Sequence, residues 1–113
     1  MVRESLLERR VRDGEMLDLY GELLTDKQRD VFRMYVMCDF TLAEIGKSIG
    51  VSRQGVHDLI TRSRERMEMF DRTFRLCDKR GKLKEIKKIT EENKERMPKD
   101  VYTALKGILD SME

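Results

Sequence analysis

The sequence predicts an all-α protein, and three observations support this fold class. Only one proline occurs among the 113 residues, so long helices are allowed. No segment alternates polar and apolar residues with the β-branched enrichment that is typical of a strand. Apolar residues instead recur every three or four positions along most of the chain, which is the spacing of an amphipathic helix.

The N-terminal part of the chain carries the first predicted helices. Apolar residues recur at helical spacing over residues 6–24, but Gly14 interrupts the pattern, which predicts one bent helix or two short ones. Thr25 and Gln28 then form a capping box, in which each side chain bonds the backbone amide of the other, and a helix follows over about residues 26–37. Its predicted buried residues are Val31, Phe32 and Tyr35.

A short helical segment and the start of a longer one come next. Thr41 and Glu44 form a second capping box, which predicts a helix over about residues 42–49. Gly50 is the predicted end of this helix, since glycine is favoured just beyond a helix C-terminus. Ser52 is the predicted N-cap of the helix that follows.

Residues 41–60 have the pattern of a helix-turn-helix, in which two helices joined by a short turn cross at roughly 90–120°. A close crossing needs a small residue in the first helix, and Gly46 supplies it. The turn needs a residue that tolerates positive φ, and Gly50 supplies that. The apolar residues expected to lock the two helices together are Ile45, Ile49, Val51, Val56 and Leu59.

The second of these helices is predicted to be long. No helix breaker occurs between Arg53 and Gly81, so we expect the helix to extend to about Asp78. Its apolar residues step by four and three, which is a heptad seam that another helix must cover. Either the C-terminal helices of the same chain cover it, which is favoured from Met67 onward, or a second copy does. The predicted seam consists of Val56, Ile60, Ser63, Met67, Phe70, Phe74 and Cys77.

Two parts of the chain are distinguished from the sequence. Residues 1–62 hold the N-terminal helices and the helix-turn-helix, and residues 63–113 form a helical extension that packs on the long helix or on a partner subunit. The extension includes a weaker helix over about residues 82–94 and a last helix with Pro98 in its first turn. We expect a homodimer, because helix-turn-helix proteins gain affinity and site selection by pairing.

The polar face of the second helix carries residue types that suit DNA. Arginine pairs well with guanine and glutamine with adenine in the major groove, which are the expected roles of Arg53 and Gln54. Ser52 and Thr61 would contact phosphates. Asp58 and other acidic residues nearby oppose this interpretation, and the alternative is a merely solvated face of a helical scaffold. The candidate nucleic-acid-binding residues are Ser52, Arg53, Gln54, His57, Thr61 and Arg62.

Charge is distributed unevenly along the chain. Residues 1–60 hold 9 Lys/Arg and 11 Asp/Glu, whereas residues 61–113 hold 15 and 11. The most basic segment is expected to track a phosphate backbone, and A-form RNA, which is recognised largely by shape and phosphates, suits it. The favoured alternative is a solvated helix face, which is the usual role of such charge runs. This basic arm consists of Arg72, Arg75, Lys79, Arg80, Lys82, Lys84, Lys87 and Lys88.

Several classes of protein lack support in the sequence. No nucleophile has a base at a meaningful spacing, so we expect no catalytic residues and no enzyme. Cys38 and Cys77 have no neighbours at metal-ligand spacing, so we expect neither metal nor cofactor. No apolar run is long enough for a signal peptide or a bilayer span, so we expect no membrane insertion.

Two blocks of sequence carry a family resemblance: LTDKQ at residues 24–28 and VSRQ at residues 51–54. Over about residues 6–79 the chain resembles the promoter-reading fourth region of bacterial sigma factors, and it resembles the YlxM-type family more closely. The resemblance implies a sigma region 4-like bundle of winged-helix-like character, with a long extended helix and C-terminal helices. It also implies a cytoplasmic protein that has a regulatory role in the signal recognition particle pathway. The partners it implies are DNA or RNA and components of the particle.

Three hypotheses about function follow. The first is a regulatory helix-turn-helix protein that acts around the signal recognition particle and contacts nucleic acid. The second is a sequence-specific DNA-binding transcription regulator. The third is a protein-interaction module without nucleic-acid binding, which the acidic residues around the second helix favour.

Overall fold

The computed structural model describes residues 5–112, and every regular element in that range is helical. The all-α fold class is therefore confirmed. Because the described range contains no strand, it has no β-hairpin wing, and the expected winged-helix-like character is wrong. The elements are α1 (Leu6–Tyr20), a 3₁₀ turn (Gly21–Leu23), α2 (Asp26–Met37), α3 (Leu42–Ile49), α4 (Arg53–Phe74), α5 (Leu76–Glu92), a second 3₁₀ turn (Lys94–Arg96) and α6 (Lys99–Ser111).

The chain forms two compact units, one ending at Arg75 and one beginning at Leu76. In the first unit, α1, α2 and α3 all pack on α4, which is the central helix. The sequence-based boundary between residues 62 and 63 falls inside α4, which continues without interruption to Phe74. Among residues 5–112, no helix combines the length and the apolar character needed to cross a membrane.

Side-chain caps fix the starts of the helices in the first unit. Thr25 Oγ1 accepts a hydrogen bond from the Gln28 amide at 3.2 Å, and Thr41 Oγ1 accepts one from the Glu44 amide at 3.1 Å. Both predicted capping boxes are thus confirmed, and α2 and α3 have the predicted bounds. Ser5 and Glu8 form a third capping box at the start of α1, and α1 continues through Gly14 as a single helix.

The end of α4 differs from the prediction. The helix stops at Phe74 because Arg75 adopts the left-handed conformation, with φ at 55°. The predicted continuation to Asp78 is therefore wrong, and α4 is 22 residues or about 33 Å long. The next helix begins at Leu76 and continues through Gly81, so the predicted break at that glycine and the predicted start at residue 82 are also wrong.

The apolar seam of α4 is covered within the first unit. Val56, Ile60, Ser63 and Met67 are buried in a helix on which α1, α2 and α3 all pack. The sequence interpretation considered only the C-terminal helices or a second copy as cover, and it overlooked α1. Phe74 is exposed at the end of the helix, and the predicted seventh member of the seam lies on α5 instead.

Two polar contacts fasten α1 to the C-terminal half of α4. The Arg64 guanidinium donates from Nε and Nη2 to the two carboxylate oxygens of Asp13, at 3.0 and 2.9 Å. Asp13 is only 2% exposed, and its hydrogen bonds raise the pKa of Arg64. At the end of α1, the Tyr20 hydroxyl donates to Asp71 at 2.6 Å, and its ring lies 6.2 Å from that of Phe70. These contacts hold the C-terminal half of α4 against α1.

The second unit is a helical hairpin in which α5 packs on α6. Among the residues of this unit that the structure describes, the buried side chains are Thr90, Tyr102 and Leu109. The Tyr102 hydroxyl donates to Glu91 at 2.5 Å, which raises the pKa of the tyrosine, and the Lys94 and Lys106 ammonium groups lie over its ring.

We predict that Asp13→Ala lowers the free energy of unfolding of the first unit by about 3–5 kcal/mol, because it leaves the half-buried Arg64 charge without its partner. The double variant Asp13→Leu, Arg64→Met should recover most of this loss, since an apolar pair of similar volume replaces both charges. Urea denaturation measures both values. Arg10→Ala, which breaks the exposed pair with Asp39, is the control and should cost much less, because water screens an exposed ion pair. If Asp13→Ala and Arg10→Ala lower the free energy of unfolding equally, this account is contradicted.

Candidate nucleic-acid interface

The crossing of α3 and α4 depends on Gly46. A Cβ atom at this position would lie 2.4 Å from the carbonyl oxygen of Val51, which is backbone and has no other rotamer to adopt. The Val51 amide donates to the Gly46 carbonyl at 3.0 Å, so the turn folds directly onto the helix that precedes it. Gly50 has φ at 70°, the left-handed conformation predicted for the turn. Both glycines have their predicted roles.

Apolar side chains hold this crossing from the inside. Ile45 and Val56 are fully buried, and Ile49, Val51 and Leu59 are half-buried. The face of α4 that bears Val56 and Ile60 therefore points into the unit, and the opposite face points toward solvent.

The outward face of α4 carries all six candidate nucleic-acid-binding residues. Five of them are exposed, and Thr61 is half-buried. The Ser52 hydroxyl caps the helix by accepting from the Gly55 amide at 3.0 Å, which leaves its own hydrogen available to a phosphate oxygen. We call this surface the α4 rim, and it consists of Ser52, Arg53, Gln54, His57, Thr61 and Arg62.

Asp58 lies beside the α4 rim and accepts a hydrogen bond from one of its residues. Its Oδ1 accepts a hydrogen bond from the Gln54 side-chain amide at 3.1 Å, and His57 Nδ1 lies 3.8 Å from the same oxygen. Gln54 must give up this bond before its amide can pair with an adenine. The carboxylate also brings a negative charge to the surface that a phosphate backbone would approach, so it opposes binding.

Lys47 is a further basic residue at this surface, and the sequence interpretation did not include it. It is exposed in the last turn of α3, immediately before the turn that leads to α4. In helix-turn-helix proteins the first helix crosses the nucleic-acid backbone, which is the place for a phosphate contact. The helical spacing from the buried Ile45 and Gly46 would have indicated that this lysine faces outward.

The eight residues of the basic arm are divided between the two units. Arg72 and Arg75 belong to the first unit, and the other six lie on α5 in the second. Six of the eight are exposed, and Arg80 and Lys87 are half-buried. Lys82 pairs with Asp78 at 3.1 Å and Lys88 with Glu92 at 3.9 Å, each one helical turn away. These pairs lower the positive charge that α5 presents to a ligand.

Comparisons with known proteins agree with this geometry. Residues 7–107 match the model of the family UPF0122, described as "Putative helix-turn-helix protein, YlxM / p13 like". A UPF0122 protein from Caldanaerobacter subterraneus is 42% identical over 77 residues, which are 67% of this chain and 66% of that protein. One from Clostridium kluyveri is 39% identical over 73% of this chain and 74% of its own length. One from Halalkalibacterium halodurans is 33% identical over 96% of this chain and its own full length.

We predict that Gly46→Ala lowers the free energy of unfolding of the first unit by roughly 1–3 kcal/mol, because the new methyl group forces α3 away from the backbone of the turn. Gly14→Ala is the matched control in the same unit. Its methyl group would make an ordinary contact with Val36 at 3.8 Å, and alanine favours a helix over glycine by about 1 kcal/mol. Urea denaturation of both variants measures the difference in their free energies of unfolding. If Gly46→Ala is as stable as Gly14→Ala, the close crossing of α3 and α4 is refuted.

Proposed function

The chain belongs to the UPF0122 family of helix-turn-helix proteins, and from this premise we propose that it is a regulatory protein that binds nucleic acid through the α4 rim. One observation carries the proposal. The first two turns of α4 present Arg53, Gln54 and His57 to solvent, while the opposite face of the same turns is buried against α3. The N-terminal end of the second helix is the part that enters the major groove in helix-turn-helix proteins.

The chemistry of the α4 rim suits a duplex better than a small ligand. Arg53 and Arg62 are long, exposed cations on one helix, and Ser52 has a hydroxyl at the helix N-terminus, where backbone amides favour anions. Lys47 adds a third cation from α3. Because the family is one of helix-turn-helix proteins and not of enzymes, we propose a binding role without catalysis.

We further propose that this regulation takes place in the cytoplasm, in the signal recognition particle pathway. Support comes from the LTDKQ and VSRQ blocks, which start α2 and α4 and carry the resemblance to the YlxM-type family. In this role the protein contacts the particle's RNA or its GTPase, and the exposed lysines of α5 contribute to RNA affinity through phosphate contacts.

Parallel titrations at low salt separate this role from that of a promoter-binding regulator. The protein is titrated into fluorescently labelled particle RNA, the particle's GTPase and duplex DNA. Exchange of Lys79, Lys82, Lys84 and Lys88 for glutamine should weaken binding to the particle's components. Sequence-selective binding to DNA alone would favour the transcription regulator, and no binding in any titration would favour the protein-interaction module.

We predict that Arg53→Ala and Gln54→Ala each weaken nucleic-acid binding by about fivefold to 150-fold, which corresponds to the roughly 1–3 kcal/mol of a bidentate contact to a base. Fluorescence anisotropy at fixed salt measures the dissociation constant. Arg12→Ala is the matched control, because it removes an exposed arginine from α1 and should change affinity little. If Arg12→Ala and Arg53→Ala weaken binding equally, the loss of affinity comes from the change in net charge and not from the α4 rim.

We predict that Asp58→Asn strengthens nucleic-acid binding up to about fivefold. The substitution removes a negative charge, and the repulsion between two unit charges 4 Å apart in water is about 1 kcal/mol. It also retains an oxygen that can accept the Gln54 hydrogen bond, so the stability of the protein should stay unchanged. The same anisotropy assay tests this expectation, and weaker binding by Asp58→Asn would mean that the carboxylate itself contacts the ligand.

A further inference from the structure

A cavity of about 370 Å³ lies within the second unit, between α5 and the C-terminal end of α6. Small-molecule sites in proteins typically have volumes of about 300–1,000 Å³, whereas a groove for a partner helix must hold anchoring side chains over two turns or more. The cavity therefore has the size of a small-molecule site. It is lined by Arg80, Leu83, Lys84 and Lys87 of α5 and by Leu109 and Met112 of α6.

One face of α5 forms the larger wall of this cavity. Its four lining residues are at positions i, i+3, i+4 and i+7, which follow one another over two turns of a helix. Lys82, by the 3.6-residue period, lies on the opposite side of α5 and does not line the cavity. The wall is therefore distinct from the remaining lysines of the basic arm on this helix.

Every polar side chain in the lining is a cation. Among the residues that the structure describes, no aspartate or glutamate lines the cavity. Within the same part of the chain Lys84 forms no ion pair, whereas Lys82 pairs with Asp78. The C-terminal end of α6 adds a partial negative charge of about half a unit, which the full charge of Lys84 outweighs. The electrostatics of the cavity therefore favour an anion.

The rest of the lining is apolar. Leu109 is 7% exposed and Leu83 is half-buried, while Met112, just beyond the end of α6, is 57% exposed. A small anion such as phosphate would leave these side chains in contact with water. A hydrocarbon chain would instead cover them, and each methylene group that it buries tightens binding by about fourfold. The lining thus matches a ligand that has both an anionic group and an apolar chain.

We propose that this cavity binds a medium-chain fatty acid, with its carboxylate at Lys84 and its acyl chain against the three apolar side chains. The carboxylate supplies the negative charge that the lining lacks, and the chain removes apolar surface from water. All six lining residues belong to α5 and to the end of α6, and none belongs to the α4 rim. The site is therefore a further binding site, beyond the proposed nucleic-acid interface.

Three probes separate the contributions of the charge and of the chain. The ¹⁵N-labelled protein is titrated with decanoate, with decyltrimethylammonium and with inorganic phosphate, and both decyl compounds stay below their micelle-forming concentrations. Decanoate should shift the amide resonances of residues 80–87 and 109–112 until they saturate, and the other two should bind about tenfold more weakly or not at all. Equal binding of phosphate would show that the chain contributes nothing, and equal binding of decyltrimethylammonium would show the same of the charge. Either result would overturn the proposal.

Variants of the lining locate the site. Lys84→Gln should weaken decanoate binding about fivefold, the upper end of the range for an exposed ion pair. Met112→Gln should weaken it to a similar extent, because a polar amide replaces part of the apolar wall. Lys82→Gln is the matched control, since it removes the same charge from the opposite side of α5, and it should leave the affinity unchanged.

Circular dichroism should show equal helix content for all three variants, which excludes unfolding as the cause of any loss. No saturable shift with decanoate, or equal affinity of the unchanged protein, Lys84→Gln and Met112→Gln, would contradict the proposal. Because no nucleic acid is present in these titrations, their outcome is independent of the proposed function of the α4 rim.

Discussion

The backbone contact between Gly46 and the turn before α4 is the constraint on which the candidate interface depends. With only a hydrogen at this position, α3 can lie against the carbonyl oxygen of Val51, where a Cβ atom would be 2.4 Å away. Close approach buries Ile45 and Val56 completely, and burial of that face leaves the opposite face of α4 outside. The orientation of the α4 rim thus follows from packing, without any contribution from the polar residues that form it.

The rest of the first unit keeps α4 in that orientation. Asp13 and Tyr20, both on α1, bond Arg64 and Asp71 on α4, and the two contacts are about two helical turns apart along each helix. The charges at this surface are mixed, because Asp58 lies beside the rim, accepts a hydrogen bond from Gln54 and offsets part of the positive charge of Arg53 and Arg62. A surface of this kind favours modest, salt-dependent affinity over the tight binding of a strongly basic helix.

The sequence allows α2, α3 and the start of α4 to be predicted to the residue, because side-chain caps at Thr25, Thr41 and Ser52 act over only three residues. The end of α4 was missed because an arginine adopts the left-handed conformation there, which local sequence does not signal, whereas Gly81 stays helical. The Asp13–Arg64 pair was also missed, since it joins positions 51 apart and only the tertiary fold brings them together. For the α4 rim, helical periodicity predicts exposure correctly for five of the six residues, Thr61 being half-buried, but it does not reveal the bond between Gln54 and Asp58.

Titration of ¹⁵N-labelled protein with nucleic acid, followed by heteronuclear NMR, tests the central claim most directly. The account predicts that the amide resonances of residues 52–62 and of Lys47 shift progressively as nucleic acid is added at low salt. They should return to their positions in the free protein when the salt concentration is raised. The resonances of α1 should shift much less, because that helix packs on the other side of α4 through contacts that binding leaves intact. Shifts confined to α1 or α6, or no shift at residues 52–62 at saturating ligand, would contradict the claim that this face of α4 binds nucleic acid.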